Sequence, residues 1–115
     1  MIIELVTFPT PAGMSRQAEY DGALHAAGEW IKNGELVAKH FMRGLQGGDN
    51  EGTSGAVYLW PSMEASKRGH DAKWLEGFRK RNGCDPTIQY FDLMLSADGV
   101  GKQIVEYEAM GEAAE

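Results

Sequence analysis

The sequence predicts an α+β fold whose elements follow the order β-α-β-β-α-β. Three observations support this prediction: four short segments rich in β-branched and aromatic residues, two longer segments with helical spacing of apolar residues, and connectors rich in glycine and proline. This order is that of the ferredoxin-like arrangement, in which a four-stranded antiparallel sheet carries two helices on one face.

The first half of the chain predicts one strand and one helix. Residues 2–8, IIELVTF, have the composition of a strand, and Ser15 offers a hydroxyl group to cap the helix that follows. Asn33 and Gly34 are expected to end this helix, because both residues tolerate left-handed backbone angles. The predicted buried face consists of apolar residues at spacings of four, three and four: Tyr20, Leu24, Ala27 and Ile31.

The second half predicts a hairpin, a helix and a last strand. Residues 35–43 and 56–60 read as two strands joined by a glycine-rich connector. A second helix is expected to begin at its cap, Ser62, and to run to residue 82 before Gly83 ends it. Residues 88–95, IQYFDLML, are predicted to form the fourth strand.

The length of 115 residues suits one domain with a single core, which we place at residues 1–97. Residues 98–115 form an acidic tail, which is expected to be disordered from Met110 onward. Three residues of this tail could add a short strand or lie across a partner subunit: Ile104, Val105 and Tyr107.

The charge pattern argues against a nucleic-acid partner, because the net charge is −6 and such proteins concentrate Lys and Arg on one face. No apolar run approaches the roughly 20 residues that cross a bilayer, so no membrane partner is expected. The N-terminus also lacks the basic and apolar segments of a signal peptide. We therefore expect a cytoplasmic protein.

The third strand predicts a homodimer. Tyr58 and Trp60 point to one face of the sheet, and Val57 and Leu59 point to the other. Both faces are then too apolar to be left in water, although the two helices cover only one of them. A second copy packing sheet against sheet is the simplest cover.

The second helix carries the main candidate for a site, His70. At about 100° per residue, five side chains of this helix share one stripe: Met63, Lys67, His70, Trp74 and Phe78. One interpretation is a core histidine with a ring nitrogen bonded to a backbone carbonyl. The other is a general base that faces a cavity, with Trp60, Trp74 and Tyr58 as flat walls for an aromatic substrate. His40, on the second strand, is the second candidate base.

Other common chemistries have no support in the sequence. No histidine pair has metal-binding spacing, and the single cysteine, Cys84, has no second thiol with which to bind zinc or form a disulfide. The glycines between residues 44 and 55 join two strands, with no helix N-terminus to hold a phosphate. We therefore expect no metal and no cofactor.

The segment GAVYLWPSMEASKRGHDAKWLEGFRKRNGCDPTIQYFD carries a resemblance to a known family. With the element order, it resembles the dimeric α+β barrel superfamily and its antibiotic-biosynthesis-monooxygenase-like group, most closely the YdhR-like proteins. The features that carry this resemblance are residues 55–60, Ser62 at the helix start, Trp74 late in the helix, and the DPTIQYFD strand after Gly83.

The resemblance implies a ferredoxin-like protomer that pairs with its twin, with a ligand cleft between each sheet and its helices. Members of the superfamily oxidise phenolic or quinol-type aromatics with O₂ and no cofactor, while others degrade haem or isomerise lactones. The haem-degrading members have an asparagine on the first strand and, on the second helix, a tryptophan followed by a histidine. Haem degradation is disfavoured here, because the first strand has no asparagine and His70 precedes Trp74. We therefore expect a cofactor-independent monooxygenase with His70 or His40 as base. The alternative is a non-catalytic small-molecule-binding or stress-associated homodimer.

Overall fold

The computed structural model describes residues 1–110, which form six strands and three helices. The elements are β1 (Ile2–Pro9), α1 (Arg16–Trp30), β2 (Ala38–Arg43), β3 (Thr53–Trp60), α2 (Met63–Gly69), α3 (Ala72–Asn82), β4 (Thr87–Asp92), β5 (Leu95–Asp98) and β6 (Gln103–Glu106). Among these described residues, no helix is both long and apolar enough to span a membrane.

The main sheet confirms the predicted fold class. Its strand order is β2-β3-β1-β4, and every neighbouring pair is antiparallel. Glu4 on β1 lies opposite both Tyr58 on β3 and Tyr90 on β4, so these three side chains share one face. Trp30 at the end of α1 contacts Tyr58, and Phe78 on α3 contacts Phe8, which places these helices over that same face.

The expected second helix is divided in two, so the prediction of one continuous helix is wrong. The backbone of His70 leaves the helical region at φ −108° and ψ 58°, although its N–H still donates to the Ser66 carbonyl at 2.8 Å. Asp71 then begins α3 as an N-cap, because its carboxylate accepts from the Trp74 N–H at 2.9 Å. The carboxylate that follows His70 is therefore the local cause of the break.

The predicted buried face of α1 is also wrong, because most of it faces outward. Tyr20, Leu24 and Ile31 are 50%, 61% and 82% exposed. The helix instead turns a stripe of small residues and one tryptophan towards the sheet: Ala23, Ala26 and Trp30. The Trp30 ring packs edge-on against Tyr58 and Trp60, with centroid distances of 5.4 and 6.3 Å, and this contact fixes the orientation of the helix.

The C-terminal part forms a separate hairpin of β5 and β6. The expected fourth strand is accordingly shorter than predicted, since β4 ends at Asp92. Ile104 and Val105 lie in β6, and the boundary that we placed after residue 97 falls inside the hairpin. Met110, the first residue of the segment predicted to be disordered, packs against the core, and the rest of that segment, residues 111–115, lies outside the described part of the chain.

The hydrophobic core lies between the sheet and the helices. Its buried members come from β1, β3 and α2: Ile2, Val6, Ala56, Tyr58, Trp60, Met63 and Ala65. Side chains on the opposite face of the sheet are partly exposed in the single chain: Ile3, Leu5, Val57 and Leu59.

Candidate active site

A buried carboxylate, that of Glu4, organises the interior beside the helices. Glu4 is fully buried on β1, and four side chains bond its two oxygens. Trp60 Nε1 and Ser66 Oγ donate to Oε1 at 2.7 and 3.0 Å, while His70 Nδ1 and the Tyr90 hydroxyl meet Oε2 at 2.9 and 3.0 Å. These hydrogen bonds replace the water that a buried carboxylate loses.

The ring of His70 is closely packed, as expected from its interpretation as a core histidine. Its side chain is only 3% exposed, and its centroid lies 4.0 Å from that of Trp74 and 4.6 Å from that of Tyr58. Its partner, however, is the Glu4 carboxylate and not a backbone carbonyl. With Glu4 ionised, Nδ1 must donate, which leaves the lone pair of the neutral ring on Nε2. Among residues 1–110, nothing bonds that buried nitrogen.

A cavity of about 360 Å³ lies between the sheet, α1 and α3. Its walls are mainly apolar, and aromatic side chains from all three sides contribute: Trp30, Phe41, Tyr58, Trp74 and Phe78. This volume falls within the range of natural small-molecule pockets, and flat aromatic walls suit a planar ligand.

The structure brings some of the predicted site residues together at this cavity and separates others. Tyr58 and Trp74 line the wall, while Trp60 is fully buried and bonds Glu4. His70 packs behind Tyr58 and Trp74 and is not part of the wall. His40 pairs with Val57, whose side chain lies on the face of the sheet away from the helices, so His40 is remote from the cavity.

The neighbour of His40, Lys39, is a titratable group on the wall that the sequence interpretation missed. Its Nζ lies 4.6, 4.2 and 4.7 Å from the ring centroids of Trp30, Phe41 and Tyr58. Burial lowers the pKa of the Lys39 amine to about 7, with repulsion from Arg81 adding to the shift and attraction from Glu4 opposing it. Burial, followed by the negative charge of Glu4, raises the pKa of the Tyr58 phenol, which therefore stays protonated.

Two further charged side chains complete the wall. Glu19 on α1 accepts from Arg43 at 2.9 Å, so its charge is compensated. Arg81 on α3 folds back along its own helix, because a Cβ added at Gly77 would lie 3.1 Å from its Nη1. Within residues 1–110, no group of three His, Cys, Asp or Glu side chains is arranged to hold a metal ion.

Comparisons with known proteins bear on the fold. No family model matches the sequence, and no match is found among curated proteins. Among solved structures, the chain is similar to a Deinococcus radiodurans protein named a "putative antibiotic biosynthesis monooxygenase", with a TM-score of 0.62 and 13% identity over 85% of this chain and 97% of that one. At this identity the likeness is one of fold, and it agrees with the ferredoxin-like arrangement.

Proposed function

We propose that the protein is a cofactor-independent monooxygenase that oxidises a small phenol or quinol with O₂ in this cavity. The observation that carries the proposal is an apolar, aromatic-walled cavity of about 360 Å³ with one amine, that of Lys39, whose pKa is about 7. The fold likeness to a protein with a monooxygenase name supports the reaction class. We also propose the closer kinship to YdhR-like proteins, on the sequence features described above.

In this mechanism Lys39 accepts the proton of the bound phenol. An amine with a pKa of about 7 is neutral in about half of the molecules at pH 7, so it is available as a base. The phenolate transfers electron density to O₂, a carbon–oxygen bond forms at a ring carbon, and the Lys39 ammonium protonates the resulting peroxide. Loss of water with the ring C–H proton then gives a quinone. One oxygen atom of O₂ enters the product and the other leaves as water.

The aromatic side chains on the cavity wall hold the ring of the bound substrate, and the buried residues bonded to Glu4 hold those side chains in place. Tyr58 and Trp74 contact the substrate in this proposal, while His70 positions both of them from behind. The role of base, which the sequence suggested for His70 or His40, passes to Lys39, because neither histidine lies on the cavity wall.

Oxygen uptake tests this proposal. Purified protein is incubated with 1-naphthol and related phenols, and uptake is compared with that of Lys39→Met, Lys39→Arg and a control variant, Lys32→Met, whose lysine is exposed on the surface. We expect loss of uptake in both Lys39 variants, since arginine carries no neutral base at pH 7, and full uptake in the control. Equal uptake in Lys39→Met would remove the amine from the mechanism.

A non-catalytic binding protein is the second candidate function. It is favoured by the close packing of His70, which leaves few proton-transfer groups on the wall. This candidate predicts ligand binding in the cavity without oxygen uptake by any of the phenols tested.

We further propose that the protein is a homodimer, with the sheet face that the helices leave uncovered as its interface. The partly exposed apolar side chains Ile3, Leu5, Val57 and Leu59 support this proposal. Light scattering should give twice the mass of one chain, and Leu59→Glu should reduce it to one. A monomeric wild-type protein would contradict the proposal.

A further inference from the structure

The charges on the cavity wall are unbalanced. Lys39 and Arg81 both line the cavity, and their mutual repulsion contributes to the lowered pKa of the lysine. The acid on the wall, Glu19, is bonded to Arg43 outside the cavity. Glu4 lies behind the wall, where four hydrogen bonds already satisfy its oxygens. Two cations therefore face the cavity without an acid of their own there.

The surroundings of Lys39 stabilise its charge only in part. Three aromatic rings lie 4.2 to 4.7 Å from Nζ, and ring faces attract a cation. Rings cannot accept the three N–H bonds of an ammonium, and no hydrogen bond or ion pair joins Nζ to another of residues 1–110. A ligand oxygen with a negative charge would supply both the missing acceptor and the missing charge.

We infer that the cavity selects small aromatic anions, with the negative oxygen against Lys39 and Arg81 and the ring against Tyr58 and Trp74. Acidic phenols and aromatic carboxylates share this chemistry. The inference deepens the proposed function and rests on it only in using the same cavity, because it requires binding and no oxidation. It is also consistent with the proposed reaction, in which proton transfer from the bound phenol to Lys39 gives a phenolate beside an ammonium group. A phenolate that binds to the protonated amine of Lys39 gives the same complex.

Binding should take up a proton. The amine of Lys39 has a pKa of about 7, and a bound anion raises that pKa, so the amine draws a proton from solvent. For an anion that is already ionised in solution, the uptake is up to about half a proton at pH 7 and up to about one proton at about pH 8.5. The charged or titratable groups that line this cavity or lie behind its wall are Glu19 on α1, Glu4 and Tyr58 on the sheet, His70 between α2 and α3, and Arg81 on α3.

The test compares two probes of similar shape, 4-nitrophenol and 4-nitroanisole, of which only the first can ionise. Under nitrogen, titrations follow quenching of tryptophan fluorescence, and visible absorption reports the fraction of nitrophenol bound as phenolate. A charge-assisted hydrogen bond predicts that nitrophenolate binds about 10- to 100-fold more tightly than nitroanisole. Calorimetry in buffers of different ionisation enthalpy measures the proton uptake at about pH 8.5, where free nitrophenol is already ionised and releases no proton of its own.

Variants separate the charge of Lys39 from its packing. Lys39→Met should reduce the preference for nitrophenolate severalfold, with the remainder due to Arg81, whereas Lys39→Arg should keep the preference but lose the proton uptake. Lys32→Met is the matched control, and it should keep both. If Lys39→Met does not fold, the wild-type probe pair and its proton uptake still decide the question.

Equal affinity of the wild type for the two probes would overturn the inference, as would an unchanged preference in Lys39→Met. The anaerobic design keeps the outcome separate from the proposed reaction. Anion preference without any later oxygen uptake would contradict the monooxygenase proposal and support the inference, while oxygen uptake without anion preference would do the reverse.

Discussion

Replacing Glu4 by leucine should destabilise the protein strongly, because two buried donors would lose their acceptor. Trp60 Nε1 and His70 Nδ1 bond the carboxylate at 2.7 and 2.9 Å, and both side chains are almost fully buried. Ser66 and Tyr90 can still bond each other at 3.0 Å. An unsatisfied buried donor costs about 1–3 kcal/mol, so two predict a loss of about 2–6 kcal/mol. That is a large part of the roughly 5–15 kcal/mol that holds a domain folded.

Glu4→Gln separates the loss of charge from the loss of acceptors. The amide oxygen can still accept from Trp60, and the amide N–H can donate to His70 Nδ1 once the ring proton moves to Nε2. We therefore expect a smaller loss of about 1–2 kcal/mol. Glu51→Gln, in the exposed connector before β3, serves as the surface control and should change stability by less than about 0.5 kcal/mol.

Urea unfolding followed by tryptophan fluorescence measures all three variants, with the free energy of unfolding obtained by linear extrapolation. The order Glu4→Leu, Glu4→Gln, Glu51→Gln, from most to least destabilised, is the predicted result. A loss below about 1 kcal/mol for Glu4→Leu would show instead that neither donor depends on the carboxylate.

Three further predictions concern stability. The pKa of Lys39 is lowered in the folded state, so above pH 7 the unfolded chain binds more protons and the stability of the fold rises with pH. Relative to Lys39→Met, the free energy of unfolding of the wild type should therefore increase by about 2–4 kcal/mol between pH 6 and pH 11, as measured by urea unfolding. Gly69→Ala should lower the stability by about 2–3 kcal/mol in thermal unfolding, because the new Cβ would lie 2.5 Å from the buried Trp60 ring. Gly28→Ala in α1 is its control: the new Cβ meets nothing within 4 Å, so this change should raise the stability by about 0.5–1 kcal/mol. Asp71→Ala removes the N-cap of α3 and should cost about 1 kcal/mol by the same measurement.

The order of elements could be predicted from the sequence because each element has its own local signal. Residues 2–8 and 56–60 have strand composition, and Ser15 and Ser62 cap helices as expected. The buried face of α1 could not be fixed, since two stripes of comparable spacing compete and only the contact of Trp30 with the sheet decides between them. The break between α2 and α3 depends on Asp71 acting as the N-cap of α3. The spacing of apolar residues did not reveal this break, because it is compatible with one continuous helix.

The site was predictable only in its aromatic part. Strand alternation predicted that Tyr58 shares one face of the sheet with Trp60, and helical spacing predicted that Trp74 faces the sheet. Both Tyr58 and Trp74 line the cavity. Glu4 and Lys39 were missed, because charged residues are exposed by default and their burial depends on partners far along the chain. Glu4 has donors 56 to 86 residues away. The lone acid within IIELVTF, sharing a strand face with apolar neighbours, was the one signal that could have revealed it.

In the proposed reaction, one oxygen atom of O₂ is transferred to an aromatic ring bound in this cavity. Incubation of the wild type with 1-naphthol under ¹⁸O₂, followed by rapid extraction and mass spectrometry, tests it most directly. We expect a naphthoquinone with one ¹⁸O atom, and no labelled product from Lys39→Met. An unlabelled quinone, or none from a wild-type protein that binds the naphthol, would contradict it.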